Sequence, residues 1–188
     1  DFINPDALMS EISAEDGKAV TSCSKEYKVI CLDPNCKRMS LNVLRKIAHL
    51  AGRGVIICGQ VPEVPASMHD STTEFESIVN DIWFSGRPNV FGGKWLEEVL
   101  KTSGISPDWT ILKGCDIRVV HRALTDGHIY WVNSPIFEPQ CAEISLRVSG
   151  LKPQKWNPIN EEVSDLSYRF DAERTVVSLE FEPDDAFF

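Results

Sequence analysis

The sequence predicts two kinds of structure in succession: a flavodoxin-like parallel α/β layer over residues 1–112, then an antiparallel β-sandwich-like module over residues 113–188. Three observations predict this fold class, α/β plus all-β. Strand-like and helix-like segments alternate in the first 115 residues, whereas short strands and turns without a helix follow from about Asp116. The chain is also 43% hydrophobic, which excludes disorder as its main state.

A β-α-β unit begins the predicted parallel layer. Residues 27–32 (YKVICL) form a short, β-branched, apolar run that is typical of a strand buried on both faces. Ser40 is a candidate N-cap for a helix over residues 41–51, whose apolar residues recur at helical spacing. Residues 55–58 (VIIC) form a second buried strand. Such a crossover joins parallel strands through a right-handed connection.

The remaining elements of the layer are a proline-containing loop, two helices and a strand between them. They are predicted over residues 60–68, 72–83, 89–91 and 94–102. Thr72 or Thr73 is a candidate cap of the first of these helices, and Gly104 ends the second.

The C-terminal module is predicted to consist of antiparallel strands. Residues 117–124 and 128–133 alternate around the turn signal Thr125-Asp126-Gly127, which favours a hairpin. Residues 141–148 place Ala, Ile, Leu and Val on one face. Phe187-Phe188 resembles a strand cut short, so we expect the module to be truncated at its C-terminus. Further strands are predicted over residues 166–170 and 175–181.

Charge and hydropathy exclude two classes of partner. The 19 Lys and Arg residues against 28 Asp and Glu give a formal charge of -9 without a basic stretch, so no nucleic-acid partner is expected. No apolar run approaches the roughly 18 residues of a transmembrane helix, so no membrane span is expected. The chain starts at Asp1, and no signal peptide is visible in it.

Motifs for nucleotide or amide chemistry are incomplete. The turn after the first predicted strand, residues 33–38, has no glycine, and no Walker motif is present, so neither a nucleotide nor another cofactor is expected. Cys58 ends a strand but precedes Gly59-Gln60-Val61-Pro62 rather than the helix of a nucleophile elbow. Cys36 lies in a loop, and no base stands next to it in the sequence.

Acidic and histidine residues also form no recognisable catalytic or metal-binding pattern. Adjacent pairs such as Glu97/Glu98 are typical of solvent-exposed faces, and Asp184-Asp185 with Asp171 lacks the spacing of an EF-hand. His121 lies in an alternating strand, where a structural role is the favoured interpretation. The sequence therefore predicts no catalytic residue and no metal site.

Four aromatic residues are candidates for carbohydrate contact, because such rings stack on sugars. They are Trp109, Tyr130, Trp131 and Trp156. Core packing is the competing interpretation for each ring, and exposed rings would distinguish a binding surface from a core.

Six cysteines are present without the two-residue spacing of a zinc or redox motif: Cys23, Cys31, Cys36, Cys58, Cys115 and Cys141. Cys31 and Cys58 fall in apolar runs, which predicts buried thiols. Most of the six are expected to be free thiols, and one or two disulfides stay open.

Four segments resemble, in order, the C-terminal part of large bacterial glycoside hydrolases of the alpha-L-rhamnosidase kind, family 106. The resemblance covers roughly residues 1–185, and its motifs include Val120-His121-Arg122, the strand from Tyr130 to Asn133, and the Lys-Pro-x-x-Trp-Asn-Pro phrase from Lys152 to Pro158. The order and spacing of the motifs carry the specificity. The four segments are residues 27–68, 91–109, 117–135 and 146–163.

The resemblance implies an accessory, non-catalytic piece of a carbohydrate-degrading enzyme. In that family the catalytic carboxylates belong to an upstream barrel domain, so no catalytic residue carries over. The resemblance implies a glutamine-amidotransferase-like α/β domain followed by the start of a β-sandwich, with the other domains of the parent enzyme as partners. It also implies a periplasmic or extracellular parent.

Two alternatives from other classes stay open. One is a carbohydrate-binding module that uses exposed rings among the four aromatic candidates. The other is a small amidotransferase-like hydrolase that uses Cys58 or Cys36, which requires a histidine within hydrogen-bond reach of the thiol.

Overall fold

Antiparallel pairing dominates the fold. The computed structural model describes residues 1–114 and 116–188, and Cys115, one of the six cysteines, lies outside them. The chain divides into two units, Asp1–Ile105 and Ser106–Phe188, each with its own core. The predicted division into domains of residues 1–112 and 113–188 stays a prediction.

The N-terminal unit contains four α-helices, one π-helical turn and eight short strands in its described residues. The helices are α1 (Pro5–Glu11), α2 (Leu41–Gly52), α3 (Thr72–Val79), which continues into the π-helical turn Asn80–Phe84, and α4 (Leu96–Thr102). The strands are β1 (Ile12–Glu15), β2 (Lys18–Thr21), β3 (Glu26–Tyr27), β4 (Val29–Leu32), β5 (Arg38–Met39), β6 (Ile56–Gly59), β7 (Val64–Pro65) and β8 (Val90–Gly92).

Helix α2 contributes a buried apolar stripe to the core of this unit. Its apolar stripe, Leu41, Leu44, Ile47 and Leu50, is fully or almost fully buried, as the helical spacing predicts. Ser40 occupies the N-cap position, but its side chain makes no capping bond. Instead, Asp70 accepts the backbone N–H of Leu41 through Oδ2 at 3.1 Å.

The predicted flavodoxin-like or glutamine-amidotransferase-like layer is wrong. A doubly wound layer needs several strands that are buried on both faces. Here the parallel strands form only a three-stranded sheet, β4-β6-β8, with three or four residues in each strand, and a two-stranded pair, β5-β7. Residues 12–27, whose strands the sequence did not predict, form the antiparallel sheet β1-β2-β3.

The C-terminal unit consists of strands without a helix in its described residues. One antiparallel sheet has the order β15-β16-β12-β9, a second has the order β10-β11-β17, and β13 pairs with β14. The strands are β9 (Trp109–Gly114), β10 (Arg118–Ala123), β11 (His128–Asn133), β12 (Gln140–Leu146), β13 (Gln154–Trp156), β14 (Val163–Asp165), β15 (Tyr168–Asp171), β16 (Arg174–Phe181) and β17 (Ala186–Phe187).

Side chains from both larger sheets form the core of this unit. Alternation along β12 directs Ala142, Ile144 and Leu146 to one face, where they pack with apolar residues of β11, β16 and β17. The β10–β11 hairpin forms around the predicted turn, and Leu124 donates its N–H to the carbonyl of Gly127 at 2.8 Å. This hairpin places His121, His128 and Tyr130 on one face.

The described helices include none that combines the length and the apolar character needed to cross a membrane. The five cysteines within the described part of the chain are free thiols. Cys58 is buried, as predicted, but the prediction of a buried Cys31 is wrong, since that thiol is exposed at the middle of β4.

Candidate functional site

An apolar groove of about 560 Å³ lies within the C-terminal unit. Its floor includes Ile144, Val177 and Leu179, which belong to the core, and its rim includes Trp156. Asp126 has the one acidic side chain among the described residues that line it. The groove therefore offers an extended apolar surface with few charged groups.

Strands β11 and β13 line opposite parts of this groove. The side chains of His128, Tyr130 and Val132 alternate onto one face of β11, and all three line the cavity. On β13, Gln154 and Trp156 line it, and Trp156 exchanges backbone hydrogen bonds with Phe188 at 2.7 and 3.0 Å. The groove thus lies beside two strand edges.

Three polar side chains, Asp108, His121 and His128, contact one another in succession and lead to the groove. We call these three residues the polar line. Nδ1 of His121 lies 2.7 Å from Oδ2 of Asp108, and Nε2 of His121 lies 2.9 Å from Nδ1 of His128. Because a carboxylate accepts, His121 donates through Nδ1, and its Nε2 shares one hydrogen bond with Nδ1 of His128. The arrangement fixes the ring of His128, which lines the groove.

Tyr130 occupies an unusual position for a polar group. Its ring stacks on that of His121, with centroids 4.2 Å apart and an interplanar angle of 4°. Its hydroxyl is buried and finds no hydrogen-bond partner among the described residues. Burial, with a further contribution from the negative charge of Asp108, raises the pKa of Tyr130 to about 12.

Arg174 connects the segment that carries Asp108 to β12. Its Nη1 donates to the carbonyl of Pro107 at 3.0 Å, and its Nε donates to Oγ of Ser145 at 2.7 Å. Arg147 adds an ion pair, with its Nη2 3.3 Å from Oδ1 of Asp108. Asp108 is thereby held by Arg174 of β16 and by Arg147, which directly follows β12, although it precedes the first strand of the unit.

The structure separates the four predicted aromatic residues. Tyr130 and Trp156 line the groove, and Trp156 is 56% exposed. Trp109 packs against the core, and Trp131 lies on the other face of β11, directly opposite Val120 in the hairpin register. Contact of any of the four with a carbohydrate stays a prediction.

The two candidate nucleophilic thiols have no catalytic partner in the described part of the chain. No described histidine is hydrogen-bonded to Cys58 or Cys36, so the requirement of the amidotransferase-like hypothesis is not met. Burial, together with the neighbouring thiol of Cys31, raises the pKa of Cys58 to about 12. Burial also raises the pKa of Cys36. Both shifts disfavour the nucleophilic thiolate.

No group of three His, Cys, Asp or Glu side chains is arranged to hold a metal ion among residues 1–114 and 116–188. The pair His121 and His128 comes closest in chemistry, but its two facing nitrogens satisfy each other. The histidine pair therefore orders the hairpin in this structure.

Sequence reasoning missed both the polar line and the groove. The two histidines lie on either side of the predicted turn at 125–127, so a hairpin register places them diagonally on one face. The predicted turn therefore provided a sequence signal for the contact between the two histidines. The pairing with Asp108 depends on how the segment before β9 crosses the unit, which no local pattern encodes.

Comparison with solved structures finds a rhamnosidase from Novosphingobium sp. PP1Y. The match covers 100% of this chain and 19% of that chain, with 29% sequence identity and a TM-score of 0.87. This chain therefore spans about a fifth of the length of the rhamnosidase that it matches. Comparison with curated proteins finds no match.

Comparison with protein families gives the same result over most of the length. The pattern of glycoside hydrolase family 106, described as alpha-L-rhamnosidase, matches residues 1–170. The matched range includes the polar line from Asp108 to His128 and most of the strands that line the groove. The chain belongs to glycoside hydrolase family 106, the alpha-L-rhamnosidase family.

Proposed function

We propose that this chain acts as an accessory, non-catalytic segment of a larger glycoside hydrolase of the alpha-L-rhamnosidase type. The observation that carries the proposal is the match to 19% of a rhamnosidase chain, which leaves most of such an enzyme to other domains. The parent acts in the periplasm or outside the cell, where the polymers that such enzymes degrade are found.

The chemistry of the groove supports a non-catalytic role. Glycoside hydrolysis commonly uses two carboxyl groups that flank the scissile bond. Asp126 has the one acidic side chain among the described residues that line the groove, and the carboxylate of Asp108 is engaged by His121 and Arg147. This arrangement gives no pair of acids that faces a common space in the groove.

The outer face of the β10–β11 hairpin supports a role in assembly. Val120 is 60% exposed and Ile129 is 40% exposed, and Trp131 lies directly opposite Val120 on the same face. A neighbouring set of apolar side chains on a surface is typical of an interface with another domain. We infer that other domains of the parent enzyme cover this face.

The experiment uses the matching enzyme from Novosphingobium as host. Deletion of the segment that aligns with this chain should abolish soluble, active rhamnosidase, and a graft of this chain in its place should restore hydrolysis of an aryl rhamnoside. A graft with Val120→Asp should fail to restore it, whereas Thr125→Asp, an exposed change in the hairpin turn, should restore it. Hydrolysis by the isolated 188-residue protein would contradict the proposal, as would full activity after the deletion.

A second candidate function is carbohydrate binding in the groove. It is favoured by the exposed ring of Trp156 at the rim and by Tyr130 within the groove. Rhamnose-containing oligosaccharides should then quench tryptophan fluorescence, and Trp156→Ala should abolish the effect. Trp95→Ala is the matched control, because Trp95 is 67% exposed in the N-terminal unit.

A further inference from the structure

The edge of β11 that faces the groove is only partly paired. Strand β11 pairs with β10 along all six of its residues, but with β17 only through Val132 and Asn133. Ser134 donates its N–H to the carbonyl of Asp185 at 3.0 Å on the β17 side. Backbone groups alternate along a strand, so those of Val132, Tyr130 and His128 point to that same side. No described backbone group pairs with Tyr130 or His128 there.

Strand β13 presents a matching open edge on the opposite side. Asn157 donates its N–H to Glu162 at 2.9 Å, toward β14, whereas Trp156 exchanges both of its backbone bonds with Phe188. Alternation then directs the backbone of Gln154 to the same side as that of Trp156. Among the described residues, Gln154 has no backbone partner on that side.

These two edges frame a space with the dimensions of one strand. Phe187 pairs with Val132, and Phe188 pairs with Trp156, so β17 and the residue after it already lie between β11 and β13. The groove continues in line with them, and its lining includes Tyr130 on one side and Gln154 on the other. Its floor of Ile144, Val177 and Leu179 is apolar.

We infer that the apolar groove is the docking site of one extended polypeptide segment, which adds an antiparallel strand between Tyr130 and Gln154. The occupant is a segment of the parent enzyme, and the inference therefore rests on the proposed function. Residues opposite Tyr130 and His128 would point onto the apolar floor, so we expect apolar side chains there and polar ones between them. A strand satisfies the open N–H and C=O groups on both sides, in register with β17.

The test extends the chain after Phe188 by four residues, Val-Thr-Val-Thr, in the register that faces Tyr130 and then Gln154. Gly-Ser-Gly-Ser is a control without apolar side chains. Val-Pro-Val-Thr is a control that keeps both valines but places proline where a central strand excludes it. Amide hydrogen exchange of each protein is measured by NMR, with Ile129 and Trp131 as internal references because their amides face β10.

The Val-Thr-Val-Thr extension should slow exchange at Tyr130 and Gln154 on the order of fivefold or more, while the references stay unchanged. The two controls should leave Tyr130 and Gln154 near their values in the original protein. Equal exchange in all four proteins would overturn the inference. It would also be overturned if the original protein forms dimers that protect these amides, or if rhamnose oligosaccharides protect them. The graft into the Novosphingobium enzyme tests the proposed function separately, so either idea can fail alone.

Discussion

Nδ1 of His121 lies 2.7 Å from Oδ2 of Asp108, and this contact determines how the β10–β11 hairpin presents its polar face. The carboxylate accepts the hydrogen bond from Nδ1 of His121, and Nε2 of His121 shares a second hydrogen bond with Nδ1 of His128 at 2.9 Å. The side chains of His121 and Asp108 are mostly buried, with exposed fractions of 19% and 27%, respectively. The contact therefore forms in surroundings where an unpaired partner is costly.

Replacing Asp108 tests this relationship. Asp108→Ala should lower the free energy of unfolding by about 1–2 kcal/mol, because His121 Nδ1 and Arg147 both lose their acceptor. Asp108→Asn should cost less, since its amide oxygen can still accept from His121. Urea unfolding followed by tryptophan fluorescence gives the stability, and NMR of the imidazole nitrogens gives the tautomer of His121. Stability equal to wild type in both variants would show that the contact is energetically neutral.

The buried hydroxyl of Tyr130 leads to a prediction of the opposite sign. Tyr130→Phe should raise the free energy of unfolding by about 1 kcal/mol, because a polar group without a described partner is removed while the ring keeps its stacking on His121. Tyr168→Phe is the matched control, since Tyr168 is exposed and should change stability little. A clear loss of stability in Tyr130→Phe would indicate that the hydroxyl has a partner, such as a bound water.

The raised pKa of Tyr130 predicts how stability changes at alkaline pH. Its pKa of about 12 lies above the ordinary value of 10.0, so the unfolded state loses the phenolic proton first as pH rises. Stability from this group is therefore full below pH 10 and is lost as the pH rises toward 12. The wild type should lose stability relative to Tyr130→Phe across this window, and its absorbance at 295 nm should show one late-titrating tyrosine. An equal loss of stability in the wild type and in Tyr130→Phe would contradict a raised pKa of Tyr130 in the folded state.

Local patterns predicted single elements well, but they failed on the fold class. The spacing of Leu44, Ile47 and Leu50 identifies α2 because a buried helical stripe is a local property. An apolar run such as VICL identifies a strand but not the number, order or direction of its neighbours. The sequence pattern of the run therefore favours a large parallel layer, whereas the strand belongs to a sheet of three short strands.

The candidate site shows the same limit. His121 and His128 could have been paired from the hairpin around residues 125–127, because the register of a hairpin is a short-range property. Asp108 could not have been added, since its position depends on Arg174, which is distant in the sequence. The groove likewise depends on the pairing of Phe188 with Trp156 and on the partial pairing of β11 with β17.

Core substitutions in the two units should have separate effects if each unit folds by itself. Leu44→Ala removes a fully buried side chain of α2 and should cost about 3 kcal/mol. Leu179→Ala should cost less, about 2 kcal/mol, because Leu179 lines the open groove, so less new cavity is created. Hydrogen exchange with mass spectrometry should show faster exchange within Asp1–Ile105 for the first variant and within Ser106–Phe188 for the second. Faster exchange in both units for either variant would show that they unfold together.

Gly114 at the end of β9 should tolerate no side chain. Its φ of +113° lies in a region that is essentially reserved for glycine, and an added Cβ would overlap the carbonyl oxygen of Cys141 and lie 2.7 Å from Cα of Ala142. Both atoms belong to β12, which is held between β9 and β16 and cannot move aside cheaply. Gly114→Ala should therefore cost more than about 2 kcal/mol or prevent folding of the C-terminal unit.

Gly127, in the turn of the β10–β11 hairpin, provides the matched control. A Cβ there meets no atom within 4 Å, and its φ lies outside the left-handed region. Gly127→Ala should leave stability within about 0.5 kcal/mol of wild type, or raise it slightly, because alanine restricts the unfolded chain. Thermal and urea unfolding of the two variants measure the difference directly. Equal stabilities would mean that β9 leaves its place beside β12 at little cost, and the register Ala142–Gly114 would then be wrong.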